Sequence, residues 1–174
     1  MEDVKPLLNF RETEFGIVKI KESFQSRLSQ YLNLIRVSAP KFLAIGTGLQ
    51  DDLAGTCESV KFLIPDYAEH PVELVHSLAK WKRNALHKYG FGEESGIYTD
   101  MDAIRKDEKL DEIHSVYVDQ YDWEKCISDE CRTLDYLKKI VTQIYQAIRE
   151  TETTINKMLP ALHTKLPNDI KFIH

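Results

Sequence analysis

A long run of apolar residues at helical spacing restricts the fold more than any other feature of the chain. Leu134, Leu137, Val141, Ile144, Ile148, Ile155 and Met158 keep a helical period and predict one helix over Thr133–Met158, which Pro160 stops. A second stripe, Ile17, Ile20, Phe24, Leu28 and Leu32, predicts a helix over Phe15–Asn33. Between the two helices the signals change to short strands. Leu34–Val37 reads as a strand ending at Pro40, and Val60–Ile64 and Val72–Val75 flank the turn signal Pro65-Asp66. A short helix is expected over Leu78–His87 with Ser77 as its cap, broken by Tyr89–Gly92. Gly96–Ile104 and Ile113–Val118 read as an antiparallel hairpin joined by the charged stretch Arg105–Glu112. Ile170–Ile173 is expected to form a last strand. This order suits an α/β (α+β) layered fold, a mostly antiparallel sheet flanked by helices. Residues 1–14 are expected to be an N-terminal extension, and residues 15–174 one domain.

With 174 residues the chain can bury a core without staples. No apolar run reaches the roughly 20 residues needed to cross a bilayer, and the N-terminus lacks a signal-peptide pattern. Cys57, Cys126 and Cys131 have no CxxC spacing and read as reduced thiols of a cytoplasmic protein. The net charge of −5 argues against broad nucleic-acid binding.

Three segments are polar where the surrounding pattern predicts core. In Gly46–Gly55 the glycines permit positive φ, while Asp51 and Asp52 offer carboxylates to a cation. The segment is neither a P-loop nor a dinucleotide fingerprint, and a solvated loop is an equal reading. In Val75–Arg83, Ser77, Lys80 and Asn84 share a helical face, while Lys82 and Arg83 point elsewhere; a solvated helix start is the plainer reading. In Ile113–Glu124, Gln120 and Asp122 point to one face of a strand and form a clamp for a small amino acid; a wet edge strand is the alternative. His76, His114, Cys126 and Cys131 lack a zinc spacing, and nothing marks a Cys–His nucleophile pair.

Taken together, the runs GTGLQDDLAG, VHSLAKWKR, GIYTDMDAIRKDE and HSVYVDQYDWE resemble the N-terminal half of the aspartate–ammonia ligases, the AMP-forming asparagine synthetases. The resemblance is continuous from about Phe15 to His174. It implies a fold like the class II aminoacyl-tRNA synthetase catalytic domain. Phe15–Pro40 is similar to the first class II motif, which builds a homodimer, and Arg105 with the strand reaching Glu124 is similar to the second, which holds ATP. The implied reaction joins L-aspartate to ATP as β-aspartyl-AMP, and ammonia then displaces AMP to give asparagine. Mg²⁺ would neutralise the leaving pyrophosphate.

On this resemblance Arg105 is both the catalytic and the ATP-binding arginine, contacting the α-phosphate. Lys82 would hold a substrate carboxylate. Asp51, Gln120 and Asp122 would hold the α-ammonium group or ammonia, and Ser77 would add a hydrogen bond. No metal ligands are assigned. The family continues beyond the position matching His174, into a third motif, so half of the ATP site is expected to lie outside this chain. The chain alone is then not expected to make asparagine. A truncated, non-catalytic module for dimerisation or regulation is the alternative. A tRNA-charging enzyme is disfavoured, since no anticodon-binding barrel precedes the first motif.

Overall fold

The computed structural model describes residues 5–51, 53 and 58–173, so Asp52, Gly55 and Cys57 lie outside the described residues. Within them, three α-helices and six strands fall into two compact units, one formed by the two ends of the chain and the other by Leu34–Ile127.

The first unit is a pair of long helices, α1 (Phe10–Leu32) and α3 (Leu134–Met158). Their apolar stripes meet through Leu28, Leu32, Ile140, Ala147 and Ile155, all buried. Such burial contributes about 1.5–3 kcal/mol for each large aliphatic side chain. At the edge of this seam Glu150 accepts from Tyr31 Oη at 2.7 Å and Arg27 Nε at 2.9 Å. The tyrosine hydroxyl is thereby held above its ordinary pKa, first by that hydrogen bond, while the carboxyl is held below its own, first by the same bond.

Helix α1 starts five residues before the expected Phe15. Asn9 accepts from Glu12 N–H while Glu12 accepts from Asn9 N–H, a reciprocal capping box that sets the start ahead of any apolar periodicity. The expected strand at Ile170–Ile173 is absent: these residues have no ladder partner among the described residues. The tail is tied to α3 instead, through Tyr145 Oη to the Pro167 carbonyl at 2.6 Å and Arg149 Nη1 to the Asn168 carbonyl at 2.7 Å.

The second unit carries two three-stranded sheets. In one, β1 (Leu34–Arg36) runs parallel to β5 (Gly96–Ile104), which pairs antiparallel with β6 (Tyr117–Lys125) over nine residues, Gly96↔Lys125 through Ile104↔Tyr117. In the other, β2 (Phe42–Ala44) and β3 (Lys61–Phe62) flank β4 (Val72–Leu74), both antiparallel. A short 3₁₀ turn at Pro65–Tyr67 joins β3 to β4. Three of these four pairings are antiparallel, which agrees with the expected sheet.

The hairpin forms as expected, but its second strand begins at Tyr117 and not at Ile113. The Asp111 carboxylate accepts the N–H groups of Ile113 and His114 at 2.9 and 2.8 Å, which withdraws those donors from a ladder and leaves Ile113 87 % exposed. Helix α2 (Ala79–Lys88) lies on this unit with Leu78, Ala85 and Leu86 buried. Its neighbours form two apolar clusters, Val75, Leu78, Met101 and Ala103, and Ala85, Leu86 and Ile97, with Trp81 packed against both.

Candidate active site

The candidate residues come from three elements that converge on the start of α2. Alternation along β6 puts Gln120, Asp122 and Glu124 on one face, and each finds a partner at or near α2. Arg83 Nε donates to Glu124 at 3.2 Å, a mostly exposed pair of small consequence. Gln120 Nε2 donates to the His76 carbonyl at 3.4 Å. Asp122 is held more tightly, because one carboxylate oxygen accepts from Lys82 Nζ and the other from Leu78 N–H at 3.2 Å. That N–H precedes the first turn of α2, where a carboxylate is favoured by the positive end of the helix dipole. The Lys82 side chain is wholly buried, and Asp122 neutralises it. Behind them, Thr99 Oγ1 donates to the Asp122 carbonyl at 3.2 Å and anchors that point of the hairpin.

On the other side of the α2 start stands the glycine loop. Gly46 and Gly48 have φ of +86° and +72°, conformations that glycine adopts without strain and that let the loop turn back. Gln50 then fixes its far end, donating to the Leu74 carbonyl at 2.7 Å and accepting from His76 N–H at 3.2 Å. This brings Asp51 to Ser77, whose hydroxyl donates to the carboxylate at 3.3 Å. Ser77 does not occupy the cap position itself, which belongs to Leu78. Its oxygen still accepts from Ala79 N–H at 3.3 Å, and Asp122 takes the N–H of Leu78. Asp51, Ser77, Lys82, Gln120 and Asp122 are thus brought together around one helix start. Asp52 lies outside the described residues.

Arg105 stands just past the end of β5, where its backbone N–H donates to the Val116 carbonyl at 2.8 Å and closes the hairpin. Among the described residues it makes no hydrogen bond or ion pair to the other five, yet its charge acts on His76, whose peptide is bonded to Gln50 and Gln120. His76 is the residue that sequence reasoning passed over after excluding zinc. The available signal was a histidine directly after the apolar pair Leu74-Val75, at the end of a strand. Its imidazole is pushed below its ordinary pKa, chiefly by burial; Arg105 and Lys106 add to this, while Glu73 and Asp107 oppose it.

A cleft of about 430 Å³ lined by Arg36, Lys41, Asp100, Met101 and Tyr117 holds none of the six candidates. Among the described residues no three His, Cys, Asp or Glu are grouped to hold a metal ion.

The chain resembles curated proteins over nearly its whole length. It is 49 % identical over 172 residues to an aspartate–ammonia ligase of Clostridium tetani and 51 % identical over 172 residues to one of Clostridium perfringens. Each match covers 99 % of this chain but 50 % and 51 % of the relative, so the chain spans about half the length of the curated relatives it matches. Among solved structures, the asparaginyl-tRNA synthetase of Pyrococcus horikoshii complexed with asparaginyl-adenylate superposes with a TM-score of 0.54 at 16 % identity, covering 82 % of this chain and 30 % of that one. The pyrrolysyl-tRNA synthetase of Desulfitobacterium hafniense gives 0.55 at 13 % identity, covering 75 % and 46 %. The fold is that of class II aminoacyl-tRNA synthetase catalytic domains. The family model for aspartate–ammonia ligase matches residues 11–174, and the chain belongs to the aspartate–ammonia ligase family.

Proposed function

We propose that this chain contributes the aspartate-binding and part of the ATP-binding surface of an ammonia-dependent asparagine synthetase acting in the cytoplasm. The observation that carries the proposal is the convergence of Asp51, Ser77, Gln120 and the Lys82–Asp122 pair on one helix start, inside a chain that belongs to this family. Among the described residues Asp51 is the carboxylate there without a cationic partner, and it would receive the α-ammonium group of L-aspartate. Gln120 and Ser77 add neutral hydrogen bonds. The buried Lys82 is neutralised by Asp122, so its role is to fix Asp122 at the α2 start, and it meets a substrate carboxylate only if that pair opens.

Arg105 would bind the α-phosphate of ATP, which the aspartate β-carboxylate attacks; pyrophosphate leaves, giving β-aspartyl-AMP. A planar guanidinium spreads the charge that builds on the phosphoryl oxygens in that step. Ammonia then attacks the activated carbonyl, and AMP departs as the C–N bond forms. The ATP phosphates would bring Mg²⁺ with them, and no step is assigned to a metal ion held by these residues. Self-association through the segment 15–40 is supported by exposed apolar side chains on α1 (Phe15, Ile17, Ile20) and, separately, on β1 (Ile35).

The test is a chimera in which this chain replaces the matching segment of the Clostridium tetani relative. Exchange of labelled pyrophosphate into ATP that requires L-aspartate, followed by asparagine formation with ammonium, is expected. Exchange that ignores aspartate would contradict the proposal.

A further inference from the structure

One edge of β4 is completed by a side chain and not by a strand. Leu74 N–H donates to the Val60 carbonyl at 2.9 Å, just ahead of β3. In an antiparallel ladder a residue turns its N–H and its C=O to the same neighbour, so Leu74 C=O and, two residues on, His76 N–H face that edge as well. The ladder with β3 does not reach that far among the described residues. Gln50 meets both groups: its Nε2 donates to the Leu74 carbonyl at 2.7 Å, and its Oε1 accepts from His76 N–H at 3.2 Å. A carboxamide carries a donor and an acceptor on one planar group, as a peptide does. The Gln50 side chain thus stands in for one peptide of a neighbouring strand.

The place of this clamp in the chain gives it a consequence. Strand β2 runs antiparallel to β4 and leaves it at the Val72 end, where Ile45 N–H donates to the Pro71 carbonyl at 3.0 Å. The chain must then travel back along β4 to reach Ser77, and it turns through Gly46 and Gly48. Gln50 is where that return is caught, and Asp51 follows it directly. The Asp51 carboxylate itself is tied, among the described residues, by the Ser77 hydroxyl at 3.3 Å, a longer contact than either would need to hold a loop alone.

We propose that Gln50 is a positioning residue for Asp51: its amide clamps the loop to Leu74 and His76, so the carboxylate stands in place before the α-ammonium group of L-aspartate arrives. Less ordering then opposes binding. The proposal rests on the reading of Asp51 as the ammonium-binding carboxylate.

Two substitutions separate the clamp from bulk. Gln50→Met keeps length and loses both bonds. Gln50→Glu keeps the shape, but an ionised carboxylate only accepts, and it would face the Leu74 carbonyl, another acceptor. Protonated, the new carboxyl again carries one donor and one acceptor. The facing carbonyl and the neighbouring Asp51 carboxylate raise its pKa above the ordinary value of about 4.3, and His76, kept neutral by burial, does not oppose them. Aspartate-dependent pyrophosphate exchange by the chimera gives KM for each substrate from about pH 5.5 to pH 8. Gln50→Met should raise the KM for L-aspartate about tenfold at every pH, the worth of one or two neutral hydrogen bonds, with kcat and the KM for ATP close to wild type. Gln50→Glu should show at least that rise at the alkaline end and return toward wild type as pH falls. Because this variant is compared with itself, a general loss of folding would not produce the pattern. In the 174-residue chain, His76 N–H should lose protection from hydrogen exchange in Gln50→Met.

A wild-type KM for L-aspartate in Gln50→Met, equal rises in both KM values, or a Gln50→Glu defect independent of pH overturns the proposal. Asp51→Asn judges the reading beneath it: a wild-type KM for L-aspartate there removes Asp51 from substrate binding and the positioning role with it. A raised KM in Asp51→Asn beside an unaffected Gln50→Met overturns the positioning role alone.

Discussion

Lys82 is a wholly buried ammonium whose charge is answered, among the described residues, by a single carboxylate, Asp122. Removing one member of such a pair leaves the other charge uncompensated, which costs about 3–5 kcal/mol. Asp122→Asn should therefore lower the urea midpoint sharply, and Lys82→Met with Asp122→Asn should recover most of the loss. An Asp122→Asn variant as stable as wild type would show that Lys82 has another partner. The same variant should raise the aspartate requirement of the chimera more than its ATP requirement, and stability must be measured beside it. Arg105→Ala should instead leave the fold intact and slow adenylation, by roughly 2.7–4 kcal/mol if it acts as an oxyanion donor does. Wild-type pyrophosphate exchange would remove it from the mechanism. His76 gives a pH signature. Its folded pKa is lowered, so the unfolded chain takes up the proton first as pH falls. The stability gained by keeping the ring neutral is complete above the ordinary value of about 6.5 and is lost as pH drops through the window below it. His76→Gln should flatten thermal stability against pH across that window, whereas an unchanged slope would place the effect elsewhere. The shared face of Gln120 and Asp122 was legible in the sequence because strand alternation is a rule of geometry. The Lys82–Asp122 pair was not, because it joins residues forty positions apart through a helix docked on a strand.

At the level of elements, the β5–β6 hairpin is the frame on which Asp122, Gln120 and Arg105 hang. Its tightest point is Gly96, where an added Cβ would stand 2.3 Å from the Glu124 carbonyl oxygen and 2.8 Å from Leu34 Cδ2. The obstacle is backbone and cannot rotate away, so Gly96→Ala should force β5 and β6 apart and destabilise the unit by roughly 1–3 kcal/mol or more. Chemical denaturation measures this, and a neutral result would mean that the strands separate there without cost. In the other unit, Leu32→Ala at the fully buried end of α1 should cost about 2–5 kcal/mol. The strand Gly96–Ile104 and the helix ending at Met158 were read correctly from the sequence, since strand residues and an apolar period mark them along their length. The misplaced boundaries share a cause: side chains bonding to nearby backbone. Asn9 and Glu12 start α1 early, and Asp111 delays β6. Strand β2 escaped notice because its three residues gain order from pairing with β4, a contact that no local pattern announces.

For the whole molecule, the family is carried by a match that spans nearly all of this chain, and the fold by superposition on synthetase domains at low identity. That combination was legible because four polar runs stand in fixed order within an ordinary layered pattern, and each contributes a residue to the α2 start or the loop after β5. The expected strand at Ile170–Ile173 was not legible, since a strand exists only where a neighbour pairs with it. The central claim is that Asp51 and Arg105 of this chain grip opposite ends of one adenylate. Calorimetric titration with a non-hydrolysable sulfamoyl mimic of β-aspartyl-adenylate tests it most directly. The account predicts one binding site, weakened roughly 100-fold by Arg105→Ala and clearly weakened by Asp51→Asn. No binding to the folded wild-type chain, or equal affinity in all three proteins, would contradict it.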